Sequence, residues 1–417
     1  MVSSSRAVHR CDILGVGAFS DMPDGLFRSY LSPAYIAAQA QVATWMTEAG
    51  LQTHVDAVGN LIGRYAGAAD GPPLIIGSHL DSVRDAGRYD GPLGIVLGIE
   101  CVAELHRQGR LMPFPIEIYA FGDEEGSRFP VAMVTSRAVA GTLGAIDAEM
   151  MDAAGVTLEE AMAAYRKAIG AESGGGLHLE QARHGPALAY VEAHIEQGPV
   201  LESHGLAVGT VTGIAAQKRF SLTVTGQAGH AGTNSMALRR DPLAAAATMM
   251  VAAEELACAA GENHVATVGT LSVSPGAPNV VPGSVTFSLD VRAASDAACA
   301  ILAEAIIDRF QSVAASRHVE IAHTLLHDLP ASPCAAELIE LMDGAIAAEG
   351  GKPMQLMSGA GHDAMILSSL CPTAMLFIRC RGGVSHNPSE SVTSADTEIA
   401  QRVLLRFIEN LGELHSA

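Results

Sequence analysis

The 417-residue chain carries 25 Lys and Arg against 45 Asp and Glu, a formal charge of −20, and 49% of its residues are hydrophobic. That much apolar material excludes disorder as the main state and, at roughly 150 residues per domain, suggests two or three domains. So acidic a chain repels phosphate backbones, which argues against a nucleic-acid partner.

Met1–Arg6 has no charged start followed by an apolar stretch, so no secretory leader is read there. The 7 cysteines form no CxxC pair and read as reduced, buried thiols, which suits a cytoplasmic protein. No segment reads as a membrane helix of about 18 apolar residues; Leu243–Ala260 comes nearest, and Glu254 and Glu255 interrupt it.

Pro73–Gly77 is a short apolar run of the buried-strand kind, and Pro92–Arg107 then places Leu93, Val96, Leu97, Val102 and Leu105 at helical spacing. Pro115–Phe121 and Ala187–Ala193 read as further strands, with Ser173–Gly176 as a short loop between them. Arg219–Thr225 changes rhythm, alternating apolar and polar residues as a half-solvated strand does. Asp241 and Pro242 predict an N-cap and first-turn proline opening a helix to about Cys258. A strand near His264–Val273, a strand Ser284–Arg292, a helix Ala297–Ala314 and a strand His318–Leu325 follow. That β-α-β-β-α-β order predicts a ferredoxin-like unit. Thr373–Arg379 returns to the buried-strand pattern. The expected fold is therefore α/β, with a mixed, largely parallel sheet flanked by helices in residues 1–213 and 328–417. A nested ferredoxin-like α+β domain is expected in 214–327.

In an open α/β sheet, ligands bind beyond the carboxyl ends of the strands. After these strands come His79 and Asp81, then Asp123-Glu124-Glu125, then His194, then His386, while Asp90 stands just before the helix at Pro92. Each alone is weak, since satisfied histidines and surface acids are common. Four in the same position relative to a strand are harder to read that way. Three imidazoles and two or more carboxylates at one sheet edge suit zinc or manganese. Five ligands exceed the three of one catalytic zinc, so two ions sharing a bridging carboxylate is the better count.

The ordered motifs Gly77-Ser-His79-x-Asp81, Tyr89-Asp90-Gly91, Asp123-Glu124-Glu125-Gly-Ser-Arg-Phe, His194-Ile-Glu-Gln-Gly198, Gly229-His230-Ala-Gly, Ser358-Gly-Ala-Gly-His362-Asp and Ser385-His386-Asn-Pro resemble the M20 metallopeptidase-like clan. The resemblance is closest to its hydantoinase/carbamoylase amidase branch: N-carbamoyl-L-amino-acid hydrolases, β-ureidopropionases and allantoate amidohydrolases. It spans the chain from Trp45 to His386. It implies a phosphorylase/hydrolase-like sheet of the zinc-peptidase type, with the nested domain as lid and homodimer contact.

It also implies two divalent ions per subunit, Zn2+ or Mn2+. His79 and His194 would cap one metal site each, Asp90 would bridge, and Glu125 and His386 would complete the second. Glu124 would be the general base and His230 an oxyanion donor. Asp81 would fix the tautomer of a ligand imidazole. Asn279 and Arg292 would hold the substrate carboxylate, with Gln197, Gln217, His362 and the Ser358–Gly361 turn, Gly359 included, lining the pocket. Asp123 and Glu196 are read as near the ligands or solvated. The implied partner is a small ureido or carbamoyl carboxylate, not nucleic acid or membrane. The peptidases of the clan resemble one another in a carboxylate at the position of His194, which disfavours a dipeptidase or aminoacylase. Intact Glu124 and five ligand positions disfavour a non-catalytic binding relative. His79-Leu-Asp-Ser-Val looks more like the carbamoyl-amino-acid hydrolases and Gln217-Lys-Arg more like the allantoate enzymes, so the substrate within the branch stays open.

Overall fold

The computed structural model describes residues 5–144, 147, 149–171 and 179–415; the Ser173–Gly176 loop lies outside the described residues. The chain forms two compact units, Met1–Thr212 with Pro333–Ala417, and Gly213–Ser332.

The first unit is built on a mixed sheet. Its spatial order begins Gln52–Val55, Leu61–Tyr65, Ile116–Phe121, Leu74–His79, Ala189–Ile195, Thr373–Ile378, Val208–Ile214. The four strands from Ile116–Phe121 to Thr373–Ile378 run parallel, and their outer neighbours pair antiparallel. Every residue of those four strands is buried, because helices cover both faces. That is why they read as unbroken apolar runs rather than alternating ones. Pro92–Arg107 packs on this sheet and against the C-terminal helix Ser394–Leu414, which also packs on Ala336–Ala348. Parallel strands finish on the same side, so the residues after each of them meet at one edge.

The second unit is a sheet of antiparallel strands in the order Leu271–Ser274, Ser284–Ala293, Ala216–Thr225, Glu320–Leu329, with His264–Thr267 also paired to Ser284–Ala293. The single strand expected near His264–Val273 is therefore two short ones. Between them the Gly269 and Thr270 amides turn to the Ser288 hydroxyl, at 3.2 and 3.0 Å, which interrupts the pairing. Counting the two as one gives a 4-1-3-2 order, the ferredoxin-like arrangement. Leu222, Val224, Phe287, Leu289, Ile306 and Phe310 form its core beneath the helices Pro242–Ala260 and Asp296–Ser316.

The Asp241 carboxylate accepts the Leu243 and Ala244 amides at 3.0 and 3.2 Å, as the N-cap reading expects. Contrary to the sequence reading, Pro242–Ala260 is long and apolar enough to cross a membrane by length and composition, with a mean hydropathy of 1.5. Its two glutamates lower that mean without bringing it below what a span needs, yet Ala245, Ala246, Met249, Ala253 and Ala257 bury one face in the second unit's core.

Candidate metal centre

Asp90 is the hub of the sheet edge. Its Oδ1 lies 3.1 Å from His194 Nε2 and 3.5 Å from His79 Nε2, and its Oδ2 lies 3.3 Å from His386 Nε2. Glu125 Oε2 is 3.7 Å from the same His386 nitrogen. Of the four groups that could hold an ion among the described residues, His79–Asp90–His194 and Asp90–Glu125–His386 share the Asp90 carboxylate, one on each oxygen; Glu192–His194–His362 and His79–Glu124–Glu125 are the others. The resemblance implied one of His79 and His194 at each of two sites. Both imidazoles stand on Oδ1, because their strands are neighbours in the parallel sheet. Gly91 opens the helix behind Asp90 with φ 85°, and a Cβ there would lie 2.4 Å from the His79 carbonyl oxygen.

The imidazoles are oriented from behind. His79 Nδ1 lies 3.0 Å from the Asp81 carbonyl oxygen and His194 Nδ1 2.9 Å from that of Ile195. A carbonyl only accepts, so both Nδ1 atoms carry a hydrogen, which leaves both Nε2 atoms to face Asp90 and the centre. The Asp81 side chain does not do this work: its nearest oxygen is 3.8 Å from His79 Nδ1. The buried carboxylate instead accepts the backbone amides of Glu124 and Glu125, at 3.2 and 3.3 Å, and so fixes the loop that carries both acids.

Asp123, Gln197 and His386 adopt left-handed backbone conformations, with φ of 60°, 56° and 53°. Non-glycine residues in that region cluster where surrounding contacts hold them for function. Gln197 Nε2 donates to Asp90 Oδ2 at 2.9 Å and to the Ser385 hydroxyl at 3.1 Å, so the amide expected to line the pocket is engaged with the hub. Asp123 is fully buried rather than solvated. Glu196 accepts the Val200 and Leu201 amides and caps the short helix Val200–Ser203.

Electrostatics follow the crowding of acids. Burial raises Asp90, but hydrogen bonds from His194, His386 and His79 outweigh it and hold the carboxyl well below its usual range. Glu124 is pushed well up, by burial first and then by Glu125, Asp363 and Asp81 against the pull of His79. Burial also lifts Glu125, to about 7. His362 is held well down, by burial and by His194, whose ring centroid is 4.4 Å from its own. Its Nε2 meets the Ser358 hydroxyl at 2.8 Å, and both residues are buried while Gly359 is exposed.

The sequence reading gave no role to two buried acids at this edge. Glu192 accepts the Ser78 and Tyr190 hydroxyls and the Ala364 amide, at 2.9, 3.0 and 3.0 Å, tying His79's strand to the His362 turn. Glu390 accepts the Tyr89 and Asp90 amides, at 2.8 and 3.2 Å. The one signal for either was position: Glu192 two residues before His194 on one strand face, Glu390 four residues after His386.

Within the second unit, the expected residues fall into two pairs. His230 lies opposite Val280 in a short ladder, and the Ala231 amide donates to the Asn279 carbonyl at 2.9 Å, which brings His230 and Asn279 together. Gln217 lies opposite Arg292, and both contact the Asp290 carboxylate, with Arg292 Nε at 2.8 Å. Arg219 reaches the same carboxylate at 2.8 Å. Asp290 is held below the usual range: burial raises it, and Arg292, Arg219 and Gln217 outweigh that.

A family model described as peptidase family M20/M25/M40 matches residues 75–410. A protein named probable allantoate deiminase, from Oryza sativa subsp. japonica, is 40% identical, with 94% of this chain and 86% of the relative covered. An N-carbamoyl-L-amino acid amidohydrolase of Geobacillus stearothermophilus is also 40% identical, over 99% of this chain and 100% of its own. A hydantoinase/carbamoylase family amidase from Burkholderia ambifaria superposes with a TM-score of 0.88 at 34% identity, over 98% of each chain.

Proposed function

The chain belongs to peptidase family M20/M25/M40, and from that membership we propose that it is a two-metal amidohydrolase acting on carbon–nitrogen bonds other than peptide bonds. It cleaves the ureido C–N bond of an N-carbamoyl-L-amino acid or of allantoate, with release of ammonia and carbon dioxide. Relatives named for both activities align over nearly the whole chain.

The observation that carries the reading is the convergence of three Nε2 atoms, from His79, His194 and His386, on the two oxygens of Asp90. The donor set fits a pair of divalent ions. Nitrogen and carboxylate oxygen suit Zn2+ or Mn2+, and two of the imidazoles spend Nδ1 on a carbonyl, as ligand histidines do. His79, His194 and Asp90 would hold one ion; Asp90, Glu125 and His386 would hold the other. Bound there, such ions supply Lewis acidity toward a carbonyl and toward water.

The remaining steps belong to side chains. Glu124 takes the proton of the attacking water on its carboxylate and returns it to the leaving nitrogen. Ions held by those ligands would offset the neighbouring acids that raise Glu124 and bring it toward the working range of a base. Asp81, through its hold on the Glu124 and Glu125 amides, keeps base and ligand in place. In the second unit we assign His230 to the developing oxyanion, and Asn279, Arg292 and Gln217 to the substrate carboxylate, for which the planar guanidinium fork is suited. The Ser358–His362 turn, with Gly359, is assigned to the pocket wall. We assign the homodimer to the second unit, where Leu325, Leu326 and Leu329 are exposed on the strand Glu320–Leu329. Seven free cysteines support a cytoplasmic location.

The test is ammonia release from metal-reconstituted protein given allantoate, N-carbamoyl-L-amino acids and 3-ureidopropionate side by side. A strong response to one of them is expected. Silence on all three, with dipeptides or N-acyl amino acids cleaved, would move the chain to the peptidase side of its family.

A further inference from the structure

The two oxygens of Asp90 are held differently. Oδ1 faces the buried His79 and His194 rings. Oδ2 faces His386, which is 51% exposed, and also receives the Ser385 hydroxyl at 2.6 Å and the Gln197 amide at 2.9 Å. Behind this stands Glu390. One of its oxygens accepts the Tyr89 and Asp90 amides, and the other meets the Ser385 hydroxyl at 3.1 Å. A single buried carboxylate thus ties the loop carrying Asp90 to the loop carrying His386, although the two are about 300 residues apart in sequence. Its seat is tailored: a Cβ on Gly87 would lie 2.1 Å from Glu390 Cδ.

Building on the two-ion reading above, we infer that Glu390 is a positioning residue. Through Ser385 and the Tyr89–Asp90 amides it sets the affinity of the Asp90–Glu125–His386 group separately from that of the His79–Asp90–His194 group. The physical reason is an asymmetry of support. His79 and His194 lie within buried strands, and each has its Nδ1 anchored by a nearby carbonyl of its own chain segment. Those anchors do not pass through Glu390. His386 has a half-exposed ring and a left-handed backbone, φ 53°, so little packing aligns it. Its alignment with Asp90 depends on the neighbouring Ser385, which Glu390 and Asp90 hold between them. Neither Glu390 nor Ser385 is required to touch substrate for this.

The experiment is a calorimetric titration of metal-free, full-length protein with Mn2+, comparing wild type with Glu390→Gln, Ser385→Ala and Ser385→Thr. Wild type is expected to take up two ions in two steps. Glu390→Gln and Ser385→Ala should weaken one step by about 10–100-fold, the usual cost of removing a group behind a metal ligand, and leave the other within about twofold. Ser385→Thr, which keeps the hydroxyl, should restore the weakened step. Thermal melting of the metal-free variants serves as the control for folding, and if Glu390→Gln does not fold, the Ser385 pair decides. Two unchanged steps, or two steps weakened equally, would overturn the inference while sparing the two-ion reading. A wild type that binds fewer than two ions would instead remove the two-ion reading, and this inference with it.

Discussion

The Nε2 atoms of His79 and His194 lie 3.5 Å apart, each ring turned so that its Nδ1 meets a main-chain carbonyl. With Nδ1 committed to a carbonyl, each ring has Nε2 left to offer a lone pair to a cation held between them. Replacing either ring by alanine should therefore cost metal before it costs fold. His194→Ala is expected to lose one ion per chain by elemental analysis and to keep the wild-type circular dichroism spectrum. Retention of both ions would remove His194 from the ligand set.

Glu124 gains its place from Asp81, which accepts its backbone amide at 3.2 Å. As the general base it should be separable from metal binding. Glu124→Gln is expected to retain both ions and to lower kcat by about 10²–10⁴-fold, the usual worth of a positioned base. Near wild-type turnover in that variant would show that another group takes the proton.

Remote from the centre, His184 Nε2 meets the Glu117 carboxylate at 3.0 Å, and Arg64 pairs with the same acid. Burial lowers His184, but Glu117 and the Gly185 carbonyl outweigh it, so the imidazole is raised above its ordinary 6.5. A raised histidine binds its proton more tightly in the folded state. Its contribution to stability is complete below about 6.5, the unfolded value, and is lost as pH rises through the higher folded value. The difference in Tm between wild type and His184→Phe should accordingly be larger at pH 6 than at pH 9. The opposite ordering would mean that the pair does not form in solution.

The second unit's core is tested by Phe310, fully buried, with its ring centroid 5.9 Å from that of Phe287. Phe310→Ala should destabilise this unit by about 3–5 kcal/mol, through lost burial and the cavity left behind. Chemical denaturation followed by a probe placed in Gly213–Ser332 would measure it. A loss under about 1 kcal/mol would mean that the helices collapse into the space.

The parts of the molecule most legible in the sequence were those where one physical rule acts locally. The buried parallel strands read as apolar runs because both faces are covered, and the Asp241–Pro242 helix start read correctly because capping is decided within four residues. Where rules competed, reading along the chain misled. His264–Val273 split in two because the Ser288 hydroxyl, on a neighbouring strand, captures two amides. The bond from the Gln197 amide to Asp90, across 107 residues of chain, has no local signal either.

By itself, then, the sequence determined that acids and imidazoles follow successive strands, and hence that a polyvalent site forms at one sheet edge. That conclusion needs only strand direction, which local hydrophobic pattern carries. Tertiary structure alone decided how those residues divide. His79 and His194 share one oxygen of Asp90 because their strands are adjacent in space, an order that no local pattern encodes. Asp81 turns its carboxylate to the Glu124 and Glu125 amides and leaves His79 to a main-chain carbonyl, since hydrogen bonds a few tenths of an ångström long or short settle which partner wins. Glu390 reaches Asp90 across about 300 residues of chain. Chain separation hides such contacts, and folding creates them.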